Sequence, residues 1–530
     1  MATRLFSVKI ESVKDNLVTQ EQFKIHEREG QLILAIDNEI LLPENAPVRL
    51  TSAQLEGLDY TKLYRAYSVK GRKSKVDPRV LFKVMVYGYQ CGIYSSRKLE
   101  EACRYRVDFM WLLGEQPVPD HTTISGFRTG RCADAAEDLF YQYVNLLEQQ
   151  GETDHETVFV DGTKLESSAG RYTFCWRGSV EKRLAKVREK VLATAGLQSL
   201  TALQEYLKQR EDGIVFVFGK GGRKSEEQRQ RETLDELRQK WEGYERSLKI
   251  MGESRNSYSK TDPDATFMRM KEDHMRNGQL KPAYNVQIAV NSEYITGVDV
   301  FSNRTDCGTL VPFLKQLKKQ HRQKYAEVTA DAGYESLENY LYLEENGQLS
   351  FIKPTNYEVK KTKRFKEKIG RIENMAYDET EDCFTCVQGR KLSLRRECTE
   401  LKHGQFVTTA WYRCEDCGGC PKRNACCQAR DTEKPKEVML RKTFWELRDK
   451  SQENMATERG IYLRMCRSIQ VEGAFALLKT DFGFRRFLTR GKANVRTELF
   501  FLSMAFNLKK LWMKRENGRL KTHLSEIRAA

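Results

Sequence analysis

A chain of 530 residues is too long for a single hydrophobic core and implies several domains. Its 40% apolar and 31% charged residues exclude a disordered chain and a membrane bundle. Lys and Arg number 90 against 74 Asp and Glu, and the net +16 points to a polyanionic partner, nucleic acid before an anionic membrane surface.

The N-terminal "MATRLFSVKIESVKDN" has no apolar run of signal-peptide type. Residues 1 to about 60 mix short β-like runs such as "QLILAIDNEILL" with polar loops. Helices begin at "DPRVLFKVMVYGYQCGI", with Asp77 as N-cap and Pro78 at the first helical position. A second helix is predicted from Ser95 or Ser96 to Gly114, and a short third one in "DHTTISGFRTG" carries Arg128 and Arg131. Preceded by the basic "KGRKSK", these read either as a helix-turn-helix arrangement or as an ordinary helical bundle. "TVFVDGTKLES" is a predicted strand with Asp161 at its middle. A charged helical hairpin, broken by "GIVFVFGKGGRK", follows it. "AYNVQIAV" and "YITGVDVFS" form a strand pair turning at Asn291 and Ser292, before the amphipathic helix "DCGTLVPFLKQLKKQHR". The strand "AEVTADAGY" ends in Asp331. A strand–helix–strand crossover of this kind implies a parallel pair within a mixed sheet. "SIQVEGAFALLK" is an amphipathic helix with Glu472 and Lys479 on one face and Val471, Phe475 and Leu478 on a stripe that packs inward. "ELFFLSMAFNL" is too short to span a bilayer and reads as a buried helix, so the protein is expected to be soluble and intracellular.

Asp161 in a strand, Asp331 at a strand end and Glu472 on a late helix are each ordinary alone. Together, two adjacent strands and a packed helix can bring three carboxylates to one place. Such crowding repels unless hard divalent cations lie between the carboxylates, and two such ions suit phosphodiester chemistry. Lys479 could then meet a DNA phosphate as a point charge.

The blocks "VFVDGTKLES", "SKTDPDATFMRMK…AYNVQIAV", "VTADAGYES" and "RSIQVEGAFALLKTDFGFRRFLTRGKANV" resemble, in this order, those of DDE transposases from bacterial insertion sequences. The resemblance runs from about Asp77 to Leu511. It implies an α/β fold: an RNase H-like mixed-sheet catalytic core with an N-terminal helical DNA-binding domain. It also implies a catalytic triad of Asp161, Asp331 and Glu472 holding two Mg²⁺ or Mn²⁺ ions. Many relatives carry Tyr-x2-Arg-x3-Glu-x6-Lys on the glutamate helix. Here Glu472 and Lys479 keep its second half, Ser468 stands at the arginine position with Arg467 one residue early, and Met465 stands at the tyrosine position. One residue turns an α-helical side chain by about 100°, so Arg464 or Tyr462 are the alternative phosphate contacts. The implied activity is binding of terminal inverted repeats, hydrolysis to expose a 3′-hydroxyl, and strand transfer into target DNA. The implied assembly is a homodimer or higher oligomer on DNA, cytoplasmic and nucleoid-associated. The rival readings are a metal-dependent nuclease of the same fold without strand transfer, and a zinc-containing DNA-binding regulator that has lost catalysis.

Of the fourteen cysteines, eight fall between Cys383 and Cys427. Two CxxC pairs, Cys383/Cys386 and Cys414/Cys417, suit a structural tetrahedral Zn²⁺, with Cys420 and Cys426 as alternative ligands. In "GFRRFLTRGKANVR", Arg485 and Arg486 are predicted phosphate contacts beside Phe484 and Phe487, which read as stacking rings or as core anchors. The expected layout is an N-terminal mainly helical DNA-binding domain over 1–150 and the first part of the core over 155–350, with a helical insertion at about 178–255. A Cys-rich insertion over 356–450, the glutamate helix and the rest of the core over 455–515, and a basic tail over 516–530 complete it. The predicted DNA contacts are Lys479, Arg464, Arg467, Arg485, Arg486 and Arg128.

Overall fold

The computed structural model describes residues 41–67, 74–210, 216–218, 223–270, 278–402, 405–427 and 434–523, together with an antiparallel strand pair, β1 (Lys9–Glu11) and β2 (Gln31–Ile33). Most of "KGRKSK" and of "GIVFVFGKGGRK", and the end of the basic tail, lie outside the described residues.

Asp77 caps the helix Pro78–Gln90, accepting a hydrogen bond from the Arg79 N–H at 2.7 Å. The second predicted helix is two, Ser96–Tyr105 and Val107–Leu113, because Arg106 is extended between them. Asp120 caps His121–Gly126, which passes through a π-helical turn, Phe127–Arg131, towards Ala133–Gln149.

The central sheet begins with β3 (Thr157–Glu166). β4 (Phe174–Trp176) and β5 (Ser257–Ser259) pair with each other at the foot of an insertion. It holds three helices rather than the expected two, Arg177–Ala195, Leu200–Gln209 and Glu226–Met251, around a small core of Leu184, Leu203, Leu234 and Trp241. β6 (Thr266–Arg269), β7 (Leu280–Asn291), β8 (Tyr294–Phe301), β9 (Glu327–Ala330) and β10 (Leu349–Ile352) complete the sheet. Its order is β10–β9–β3–β7, with β6 and β8 sharing the far edge of β7; β10, β9 and β3 are parallel and the other pairings antiparallel. The β7–β8 turn is Ser292–Glu293, one residue later than expected, and both have the positive φ of a two-residue hairpin turn. The crossover helices Leu310–His321 and Leu337–Glu345 cover one face, where Val158 and Val160 of β3 pack; Phe159 and Leu165 face the other way.

The Cys-rich region is a five-stranded antiparallel sheet of β11 (Ala376–Asp378), β12 (Cys383–Thr385), β13 (Lys391–Lys402), β14 (Gln405–Cys414) and β15 (Glu437–Arg441), in that order. The chain returns to the core through Lys442–Ala456 and Glu458–Arg467 and ends in the long helix Lys492–Glu516. That last helix is the buried one expected from its sequence. Phe501 lies 5.6 Å from the rings of both Phe82 and Tyr89, and Phe500 lies 5.5 Å from Phe140. Its buried Asn507 amide bonds both the N–H and the carbonyl of Ile295, completing the start of β8. Lys514 pairs at 3.0 Å with Glu152, both side chains fully enclosed. No helix among the described residues is long and apolar enough to cross a membrane.

Candidate active site

Asp161 lies in β3, and Asp331 is the first residue after β9. The parallel register pairs Val160 with Ala330, so the next step along both strands sets the two aspartates side by side. Asp331 caps a single 3₁₀ turn, accepting from the Gly333 N–H at 2.8 Å.

Glu472 reaches this place from the other side. The helix expected over Ser468–Lys479 continues Glu458–Arg467 as a π-helical turn, Ser468–Glu472, before becoming α-helical over Gly473–Lys479. A π-turn holds one residue more than an α-turn, so a side chain five positions before the glutamate comes round to its face. The offset of Arg467 is thereby undone. Its guanidinium lies 3.3 Å from Asp161 Oδ2 and 3.9 Å from Glu472 Oε1, a single cation between two carboxylates. The Glu472 side chain is 64% exposed, whereas Val471 and Leu478 are buried as expected. Among the described residues no three His, Cys, Asp or Glu side chains stand close enough together to hold a metal ion. The expected close convergence of Asp161, Asp331 and Glu472 is therefore not seen. Like charges repel, and the guanidinium occupies the ground between two of them.

Behind the aspartates lies a network that sequence reasoning missed. Asp306 accepts from the side-chain amides of Asn285 (2.7 Å) and Gln287 (3.0 Å), and Gln287 accepts from the Tyr334 hydroxyl. Burial holds that phenol neutral, and the charges of Asp306, Asp161 and Asp331 around it add to the effect. Gly162 leaves room for this network, since a Cβ would stand 2.4 Å from Gln287 Nε2 and 2.7 Å from Asp306 Oδ1 and would displace one or both. The reason for glycine beside Asp161 is this packing, which the β3–β7 pairing brings about.

A cleft of about 650 Å³ opens beside Asp331 and Arg467, with Lys353, Lys361, Arg464 and Ile469 in its walls. Arg464 donates to the Tyr357 hydroxyl at 2.9 Å. Lys479 is partly exposed beside Phe475 and Phe484. Arg485 is exposed, but Arg486 spends its guanidinium on the carbonyls of Ser167 and Ala169, each at 3.0 Å. Phe484 and Phe487 are core residues packed against each other, with Tyr94 against the first and Tyr284 against the second. Arg128, predicted at the DNA surface, is buried and donates to the Tyr94 carbonyl at 2.7 Å, so it serves packing instead.

The thiols gather partly as expected. Lys436 ties three of them: its carbonyl accepts from the Cys414 N–H, its N–H points at Cys417 Sγ (3.3 Å), and its ammonium donates to the Cys426 carbonyl (2.7 Å). Cys386 packs with Cys414 and Cys417. Burial, with Cys417 and Cys386 beside it, pushes the Cys414 thiol up to about 12. Burial likewise raises Cys426, and Cys386 and Cys417 again add to the shift. Cys383 instead faces Glu381 and Lys391, so it stands apart from the set in which it was placed from spacing.

Two comparisons with protein families bear on this arrangement. Residues 37–130, the N-terminal helices, match the family described as "Transposase domain (DUF772)", and residues 385–512, from the thiols through Glu472 to the last helix, match the "Transposase DDE domain". Both matches support a DDE transposase of an insertion sequence. No curated protein and no solved structure matches it.

Proposed function

We propose that this transposase cuts and joins DNA at one centre built from Asp161, Asp331 and Glu472, in a core of RNase H-like type. The observation that carries the reading is the side-by-side placement of two aspartates on parallel strands, with Glu472 linked to the first through Arg467. The donors are all carboxylate oxygens, the kind hard cations take, and Glu472, exposed on its helix, would have to close on the two aspartates to complete the set. Two divalent ions, Mg²⁺ or Mn²⁺, would supply charge stabilisation at the attacking and leaving oxygens of the phosphodiester. Asp161 and Asp331 supply rigid carboxylates, one set in a strand and one fixed by its cap. Glu472, exposed on its helix, supplies the adjustable third. Arg467, released from the carboxylates, and Lys479, Arg464 and Arg485 hold the phosphates of the element's inverted repeats and of the target duplex. The N-terminal helices serve end recognition, and two copies of the chain pair the ends.

Incubating the purified protein with labelled element ends and Mg²⁺ tests the reading. Free 3′-hydroxyl ends and their joining to a second duplex are expected on a sequencing gel. Nicking without joining would leave a nuclease.

A structural Zn²⁺ is proposed for the Cys-rich sheet on the two CxxC spacings. Among the described residues no three thiols are set for a metal ion, so the neighbouring Cys386, Cys414, Cys417 and Cys426 would have to draw together around it. Elemental analysis should find about one zinc per chain. Cys426→Ser should lose it and Cys383→Ser keep it; the reverse result would restore the set read from spacing.

A further inference from the structure

We infer that the Cys-rich region carries a second binding site for the DNA backbone, on the proposed reading that this chain works on duplex DNA. The site is a cleft of about 960 Å³ whose walls include Lys368, Arg371, Arg413, Lys434 and Lys436, with Glu437 the one carboxylate among the described residues that line it. Lys436 is 8% exposed, and its ammonium donates to the backbone carbonyls of Gly370 and Cys426. Those carbonyls satisfy its hydrogen bonds without cancelling its charge. Lys436, Lys368 and Arg413 have no ion-pair partner among the described residues. A lysine so enclosed ordinarily faces a carboxylate, because removing a charge from water is costly unless an opposite charge is near. That place is taken by the Cys426 thiol, which stands against the ammonium, so the cations of the cleft left to meet a bound anion are Lys368 and Arg413.

The chain between the two clefts says which anion. "KKTKRFKEK", Lys360 to Lys368, holds six cations and one carboxylate. Phe365 is its one buried side chain. Lys361 lines the cleft beside Asp331 and Arg467, and Lys368 lines the second cleft. One basic segment thus runs from the catalytic cleft to the other. A small anion would need only one of these cations, whereas a duplex backbone, charged along its whole length, engages the row. The second cleft therefore holds DNA that has already passed the carboxylates.

The test is the pair Lys368→Glu and Arg413→Glu in the full chain, neither residue belonging to the triad. Fluorescence anisotropy would follow a labelled duplex of generic sequence over a range of salt, in EDTA. Affinity should fall about tenfold or more, and the slope of log K against log salt should flatten by about two, one for each lost phosphate contact. The melting temperature should stay at that of the wild type. Equal affinity and slope in wild type and variant would overturn the site. If melting drops, the milder pair Lys368→Gln and Arg413→Gln decides the matter by the same slope, and an unchanged slope at the wild-type melting temperature again overturns it. Loss of binding to polyglutamate with DNA binding intact would assign the cleft to an acidic protein and contradict the proposal. Should the wild type bind no duplex at all, the proposed function fails first, before the cleft is in question.

Discussion

Replacing Asp161 or Asp331 by Asn, or Glu472 by Ala, is expected to lower cleavage of element ends by about a thousandfold or more. Each carboxylate is proposed to share in holding the cations, whose charge stabilisation is worth several kcal/mol, and each 1.4 kcal/mol is a factor of ten. The three changes should differ in stability. Glu472 is exposed and pairs with Arg467 at 3.9 Å, so its loss should leave melting without metal essentially unchanged. Asp331→Asn keeps the cap on Gly333, whereas Asp331→Ala loses it, at a cost of about 1 kcal/mol. End binding in EDTA should survive all three. Near wild-type nicking by Glu472→Ala in Mg²⁺ would remove that helix from the chemistry.

The largest loss of stability is expected from Glu335→Ala. This side chain is enclosed and bonds Arg448 through both oxygens, at 2.5 and 2.8 Å, while the Thr355 N–H donates to it at 2.8 Å. It sits four residues past Asp331 and so fixes the Asp331 loop to the helix Lys442–Ala456. Removing one member of a buried pair leaves the other charge uncompensated, at about 3–5 kcal/mol. Burial pushes the Glu335 carboxyl up, but the hydrogen bonds from Arg448 and Thr355 outweigh it, and the net shift is downward from 4.5. A depressed carboxyl stabilises the fold above the ordinary value and ceases to do so as pH falls through the folded one. Urea midpoints should therefore fall on acidification below about 4.5 in the wild type, and that part of the fall should vanish in Glu335→Gln. An unchanged pH profile in the Gln variant would count against the pair.

Much of this was legible in the sequence where a local rule decides. Asp77 before Pro78, the β7–β8 hairpin, the burial of "ELFFLSMAFNL" and the side-by-side aspartates all follow from caps, alternation and parallel pairing. What was not legible depends on partners distant in sequence. Nothing in "MCRSIQVEG" announces a π-turn, yet that turn places Arg467 beside Glu472. Arg128 reads as a surface cation until Tyr94 and the last helix close over it. Spacing alone offered six thiols, and the strands and loops around Lys436 set Cys426 with the others and Cys383 apart.

The closing helix has a consequence for how the molecule is made. Phe82, Tyr89 and Phe140 leave the ribosome about four hundred residues ahead of Phe500 and Phe501, against which they finally pack. Contacts between such distant parts form late and slowly. The N-terminal helices must wait, incompletely packed, until synthesis is nearly over. A chain cut off before Lys492 would leave that apolar surface uncovered, so a truncated product should aggregate or be degraded rather than persist as a folded N-terminal half.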